Sequence, residues 1–473
     1  MQSPLPLQIE SIDTRPWWRQ LTSYHWFVFV MAALAWLFDC LDQQIFILFR
    51  DTALTNLMPE GANVKTFGGY ATSIFVAGWA TGGLIFGSLG DRIGRAKTLT
   101  ITVLLYSVFT GLSALSTSWI DFAIYRFITG LGVGGVFGLA VALTADTLPT
   151  GARTWALGVL QALSAIGNVA AGLISMYMGT LISAERITSD QAWKYAFLIG
   201  AIPAFLCVFI QLRLKEPEKW VKAREAGLLT GAKFGSYASL LGPGRWRKPA
   251  LLGMLLCIAG VIGLWGIGFF APELVGDVIQ TSLKEKGLSD TEIVSQTTYY
   301  KGLNSIIQNV GAFLGMLSFA YVAQRTGRRF AFAIAFVGAF LATNLYFRMF
   351  QGVDQLWMSG VMGFFQLALF AGFAIYLPEL FPTRLRSTGT SFCYNVGRFL
   401  AATGPFTLGI LQQKLGESAI ANLPQTADAA ARAAARLSAF RDATSYVSLV
   451  FIVGLVVVYF LPETKGQPLP EDD

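Results

Sequence analysis

The chain has 473 residues, of which 54% are hydrophobic and only 13% charged, with 49 glycines and a mean hydropathy of +0.55. A surface so poor in charge cannot be wetted, which excludes a soluble enzyme, a nucleic-acid-binding protein and a disulfide scaffold, and points to multiple helical membrane crossings. The net charge of +7 therefore needs a source other than nucleic acid. Cys40, Cys207, Cys257 and Cys393 lie in four separate apolar runs without CxxC spacing, as packing residues do, so no metal site or bound cofactor is expected.

A helix needs about 20 apolar residues to cross roughly 30 Å of hydrocarbon. A polar tail over 1–23, carrying Arg15 and Arg19, leads into a first run at 24–49. It lacks the short apolar core and small-residue cleavage site of a secretory signal, so this run is expected to stay as a span. Runs at 66–90, 97–116, 120–145, 153–183 and 191–213 complete a first six-helix bundle over 24–213. The polar stretch 214–248 then divides the chain nearly in half. Its segments KWVKAREAGLL and KFGSYASLL read equally as short helices on the membrane surface or as a solvated linker. Runs at 249–277, 297–324, 329–350, 355–381, 385–413 and 442–461 make a second bundle over 249–461, followed by a tail over 462–473. The expected fold class is all-α integral membrane, with twelve transmembrane helices in two pseudo-symmetric six-helix bundles. Twelve crossings place both termini on one side, and most of the Lys and Arg fall on that side. The positive-inside rule makes it the cytoplasm, which gives the +7 its source.

The two halves match at one constant offset: Asp121 with Asp354, Asp146 with Glu379, Pro149 with Pro382, Thr150 with Thr383 and Arg153 with Arg386. DRIGR at 91–95 pairs with QRTGR at 324–328 at the same offset. Duplicated six-span halves are a signature of alternating-access transporters, with the substrate between the halves near the midplane. In the first loop Gly94 permits a tight turn, while Asp91, Arg92 and Arg95 can bridge neighbouring helix ends and act as a gate. This loop, and its weaker copy after span eight, resemble the hallmark of the major facilitator superfamily. Two departures are Ala96, where the family usually has a second basic residue, and Gln324, which replaces the acid of the second copy. A second-half latch is therefore expected from Arg325, Arg328, Glu379 and Arg386, with Asp146 and Arg153 completing the gate. Topology enforcement alone is the bland alternative for these charges.

Arg126-x-x-x-Gly130-x-Gly132-x-Gly134, the run 378–386 (PELFPTRLR) and the run 462–466 (PETKG) resemble the sugar porter, organic ion and aromatic acid symporter branches of that superfamily. Glu216-Pro-Glu-Lys-Trp220 is a worn version of the sequence these branches place after span six. Gly130, Gly134 and Gly138 follow small-xxx-small spacing and suit close packing of span four.

Asp39, Asp42, Arg126, Glu273 and Arg398 fall inside expected spans, where a charge costs about 2.5–3.5 kcal/mol on insertion scales. Asp39 and Asp42 share a helix face with Trp36 and Gln43. Two desolvated acids side by side favour holding a proton, and a neighbouring arginine favours releasing it. An arginine that approaches in only one conformation would therefore couple proton binding to access. The PheAspCysLeuAsp sequence at 38–42 resembles the Asp-x-x-Asp of aromatic acid and related proton symporters, and the sugar porter resemblance implies an acid at Asp42 working with an arginine at Arg126. Asp42, Asp39, Arg126 and Glu273 are the proton-coupling candidates, with the proton as coupling ion. Arg398, one helical turn after Asn395, is the candidate for a substrate carboxylate, by bidentate recognition, or else a partner of Glu273. Gln161, Ser164 and Asn168 share a face of span five, as do Asn304 and Gln308 on span eight. They suit ligand orientation or interhelical hydrogen bonds, with packing favoured for Ser164. Trp36, Trp265, Phe269, Tyr376 and Tyr394 could wall a ring-shaped substrate or serve as packing.

A sugar porter should carry Gln-Gln-x-Ser-Gly in span seven and Gly-Pro-x-x-Trp in span ten. The chain has CIAGVIGLWG and GFAIYLP instead. The acids of span one and the arginine of span eleven favour proton symport of a small organic acid, aromatic or other monocarboxylate. A sugar or an organic cation, the latter on Asp39 and Glu273, is the alternative. A membrane enzyme lacks its groups, since the single histidine, His25, stands at the mouth of span one. A non-transporting sensor is disfavoured by the retained acids. The short loop after span one and the absence of an Asn-x-Ser/Thr sequon favour a bacterial inner membrane protein, expected as a monomer.

Overall fold

The computed structural model describes residues 15–59, 64–202, 210, 213–401, 404–424, 426 and 428–471, and every regular element among them is helical. The first half runs through Ser23–Leu57, Val64–Ile93, Arg95–Ser113, Trp119–Thr147, Thr150–Ser183 and Ser189–Gly200. The last of these is only the beginning of the expected sixth span, much of whose remainder, with Cys207, lies outside the described residues. The linker contains two helices, Glu218–Thr230 and Tyr237–Leu241.

The second half departs from the expected spans in three places. Span seven is an α-helix only over Arg247–Val261; it continues as a π-helical segment, Ile262–Ile267, and a single 3₁₀ turn before Ala271–Glu285. Closely spaced glycines (263, 266, 268) with no Cβ to fill the turn let the helix widen there. Spans eight, nine and ten are Asp290–Thr326, Arg328–Met349 and Trp357–Tyr376. Span eleven comprises Arg386–Ala401 and Gly404–Ala421, and span twelve Ala429–Ser448 followed by Val450–Phe460. The last two helices reach well beyond the apolar runs because their polar ends pack on each other.

Exposed apolar residues recur at helical spacing on the outer faces, as at Ile101, Leu104 and Val108 on span three and Ile334, Val337 and Leu341 on span nine. Such stripes face lipid, because a soluble helix would turn them inward. Inside each half, small residues set the closest approaches. Gly78 and Gly82 of span two lie against the backbones of Phe127 and Leu131 on span four, and Gly311 and Gly315 of span eight against Gly360 and Phe364 on span ten. The two sets are related by the sequence offset, so the repeat is also a packing repeat. Gly130 and Gly134 meet the backbone at Trp79, as their spacing suggested, whereas Gly138 meets Ser391 of the other half. The halves join along spans two and eleven and along spans five and eight.

Candidate functional site

Three groups of polar side chains are buried in the molecule, two of them where the halves meet and one inside the first half. The first surrounds Arg398. Its guanidinium carbon lies 3.6 Å from the ring centre of Trp79 on span two and 4.2 Å from that of Tyr394, one turn earlier on its own helix. One Nη donates to the Tyr394 hydroxyl at 2.9 Å, while Nε and the other Nη are buried with no hydrogen-bond partner among the described residues. Asp39 faces this charge from span one and is near Asp42 as well; Gln43 donates to its Oδ2 at 2.9 Å, and its Oδ1 has no partner. Trp36, Phe137 and Tyr394 form a continuous aromatic wall across the halves, the last two stacked with centroids 3.9 Å apart. Trp265, from the π-helical segment of span seven, stands edge-on to Trp79. The buried side-chain oxygen of Asn395 and the Trp36 indole nitrogen also have no hydrogen-bond partner among the described residues, nor has the Gln161 oxygen on span five. Buried polar atoms are ordinarily paired, so this concentration marks a place suited to a polar ligand.

Not every expected ligand residue joins this group. Asn168 donates to Asn309 across the halves at 3.4 Å, Gln308 packs against Gly363, and Ser164 bonds within its own helix. Tyr376 is corrected outright: its hydroxyl donates to the Pro462 carbonyl at 2.6 Å, and its ring packs on Phe332, so it docks the tail. Of the two roles open to Tyr376, wall of a substrate or packing, the contacts are those of packing. The side chains of Glu273 and Phe269 lie outside the described residues. Arg398 lies against two aromatic rings, and of its two expected partners, an anion or Glu273, the second has its side chain outside the described residues. Trp79 was missed, its indole hidden in a run of small residues that read as packing.

The second group is the pair Asp42 and Arg126, both fully buried, with 3.5 Å between carboxylate and guanidinium. Thr110 donates to Asp42 at 2.6 Å. Arg126 is further held by Ser113, Thr129 and the Phe109 carbonyl, with its guanidinium over the Phe197 ring. Thr110 and Ser113 lie on one face of span three, a spacing that could have signalled the polar cradle. The loose pair can separate without breaking a strong hydrogen bond between its members.

The third group closes one end of the molecule. Arg95 pairs with Asp91 at 3.2 Å and with Asp146 at 2.7 Å, and its Nη donates to the Thr383 carbonyl of the second half. Arg386, from that half, also pairs with Asp146. Asp91 accepts the backbone N–H groups of Ser387 and Thr388 and the Thr388 hydroxyl, at 3.2, 2.8 and 2.6 Å. In the other copy, Arg328 holds Glu379 with two bonds, at 3.0 and 2.8 Å, and reaches Thr154 at 2.7 Å. Arg153 is buried nearby without an ion pair among the described residues. Arg325 and Arg92 are outside the latch: Arg325 stacks on Tyr321 at the surface, and Arg92 reaches only the Gly235 carbonyl of the linker.

Each copy of the loop is also capped by an acid that the sequence reading did not place. Glu216 accepts from the N–H groups of Ala96 and Lys97, and Glu463 from those of Arg328 and Arg329, so a carboxylate sits at the start of spans three and nine. Gly94 and Gly327 adopt φ of +121° and +105°, conformations that favour glycine. Trp220 donates to the Asp91 carbonyl at 2.9 Å, which gives the motif at 216–220 its local purpose. His25 forms a reciprocal cap with Thr22 at the start of span one. Among the described residues no three His, Cys, Asp or Glu side chains cluster as a metal site needs.

The sequence pattern described as Major Facilitator Superfamily matches residues 43–405. A cis,cis-muconate transport protein of Acinetobacter baylyi is 28% identical over 395 residues, covering 83% of this chain and 89% of that protein. A niacin transporter of the same species is 26% identical over 411 residues, covering 81% and 87%. Among solved structures, the proton:xylose symporter XylE superposes with a TM-score of 0.71 at 17% identity, covering 94% of this chain and 98% of that one, a likeness of fold.

Proposed function

This chain belongs to the major facilitator superfamily, and from that premise we propose that it moves a small organic acid, aromatic or other monocarboxylate, together with a proton by alternating access. It is a multi-pass membrane transporter of a small molecule and not an enzyme. The observation that carries the substrate class is Arg398: a buried cation in an aromatic enclosure, with donors that no group among the described residues takes up. A planar carboxylate would satisfy those donors and stack on the Trp36, Phe137 and Tyr394 wall. Niacin, named for one relative, is an aromatic monocarboxylate, and muconate, named for the other, is an open-chain dicarboxylate, so what both support is an organic acid.

Asp42 and Arg126 supply the coupling. With Asp42 ionised the pair holds spans one and four together; a proton on Asp42 cancels the attraction and frees Arg126 to its hydroxyl cradle. The latch end, closed in this structure, is the cytoplasmic end by the distribution of Lys and Arg. The bilayer is a bacterial inner membrane, with both termini inside and the transporter acting as a monomer.

The test is uptake of labelled benzoate, nicotinate and cis,cis-muconate into proteoliposomes under an imposed pH gradient. Accumulation should require the gradient, Asp42→Asn should abolish accumulation while preserving counterflow exchange, and Arg398→Ala should abolish binding without lowering the melting temperature. Accumulation indifferent to a protonophore would overturn symport, and thermal stabilisation by sugars or organic cations alone would overturn the substrate class.

A further inference from the structure

Arg398 is a long, flexible side chain with a carboxylate, that of Asp39, within its electrostatic reach. The ordinary outcome for such a neighbourhood is an internal ion pair, because an isolated buried charge is costly. Yet no ion pair between Arg398 and Asp39 is present among the described residues; the guanidinium lies instead against Trp79, at 3.6 Å. That indole is firmly placed. Gly130 and Gly134 of span four pack on the backbone at Trp79, Phe75 flanks the ring one turn away, and Trp265 meets it edge-on from the other half.

We propose that Trp79 is a positioning residue that holds the Arg398 guanidinium away from Asp39, keeping it available for a substrate carboxylate and tying span two to span eleven while it does so. The proposal rests on the reading of Arg398 as the carboxylate receptor. A guanidinium on an indole face keeps its in-plane N–H donors free, whereas one paired with a carboxylate has them occupied. An aromatic partner therefore holds the cation without competing for the donors that a ligand needs. With the indole gone, Arg398 collapses onto Asp39, and the protein's own carboxylate becomes the competitor of the transported one.

The experiment is equilibrium binding of benzoate, nicotinate and cis,cis-muconate to the full-length protein in detergent, by calorimetry, with melting temperatures measured in parallel. Trp79→Leu should weaken carboxylate binding by about tenfold or more, the scale of a lost desolvated cation–π contact. Trp79→Phe, which keeps a ring face, should lose only a fewfold. The decisive variant is Trp79→Leu combined with Asp39→Asn: removing the competing carboxylate should restore most of the lost affinity. A merely structural tryptophan would not be rescued in this way, and failure of that rescue in a protein that melts like its parent would overturn the proposal. Unchanged binding in Trp79→Leu would overturn it as well. Arg398→Ala separates the two levels: if that variant binds as the parent does, the receptor reading itself falls, and if it loses binding while Trp79→Leu does not, only the role of Trp79 falls. If the parent binds none of the three acids, both fall together.

Discussion

The two latches are copies of one sequence pattern, yet they do different things. Arg95 on Asp146 and Arg328 on Glu379 are counterparts, and so are the caps Glu216 and Glu463 on their glycine turns. Among the described residues only the first copy, however, recruits ion-pair charge from across the halves, since Arg386 joins Asp146 while its counterpart Arg153 joins no ion pair there. The acid at Asp91 receives the start of span eleven, whereas Gln324 has no hydrogen-bond partner among the described residues. The first latch is thus a clamp between halves, and the second chiefly braces its own half, touching the other through Thr154. One duplicated motif serves as a clamp between the halves in one copy and as a brace within one half in the other.

This division can be broken most forcefully at Asp146. Asp146→Asn strands the buried Arg386 guanidinium and leaves Arg95 with Asp91 alone, a loss of about 3–5 kcal/mol to the latched state. It should make a cysteine placed near Thr383 reactive to a membrane-impermeant maleimide applied from the latch side. Glu379→Gln should lower the melting temperature while leaving that cysteine protected; equal reactivity in the two variants would abolish the distinction. Next, Asp91→Asn should weaken the clamp by about 1.5–3 kcal/mol, the scale of hydrogen bonds to a charged group, and raise the rate of latch opening seen by the same labelling. Gln324→Asp should move the second copy towards the first and slow opening. Ala at Gly94 or Gly327 should cost about 1–2 kcal/mol of thermal stability at either site, because both turns need a positive φ and a Cβ there would crowd Glu216 or Glu463. Unequal costs would show that the caps, unlike the clamps, are not equivalent.

The smallest effect concerns pH. Burial pushes the Glu463 carboxyl up, but the N–H groups of Arg328, Lys465 and Arg329 outweigh it and hold the group below its ordinary 4.5. A depressed folded value means that the stabilisation is complete above 4.5 and fades as pH falls below it. The melting temperature should therefore drop on acidification in the parent and drop less in Glu463→Gln.

How much of this was legible in the sequence follows from what a sequence encodes. Offset matching exposed Asp91, Arg95, Asp146, Glu379 and Arg386, because charges at loop ends can only meet other loop ends. The spacing of Gly130 and Gly134 gave the close approach of span four. Rotation of one helix against another is not encoded by spacing, so Tyr376 was assigned to the wrong neighbourhood and Trp79 to none. The motifs at 216–220 and 462–466 were visible as words, but their carboxylates act on backbone N–H groups, which carry no sequence signal. The widened turn of span seven was likewise hidden, since a run such as IGLWGI reads as plain apolar helix.

The tail residues that complete the second latch have a place in time as well as in space. Tyr376, Arg328, Arg329 and Arg325 all receive contacts from Pro462 through Lys465, which the ribosome adds only after every span of the second bundle. Glu216, by contrast, is available as soon as the first six spans have been made. The first bundle can therefore be sealed while the second is still being translated, and the second only after its own last span has been made. A premature stop just after Phe460 would leave all the spans in the membrane and deprive span nine of its cap.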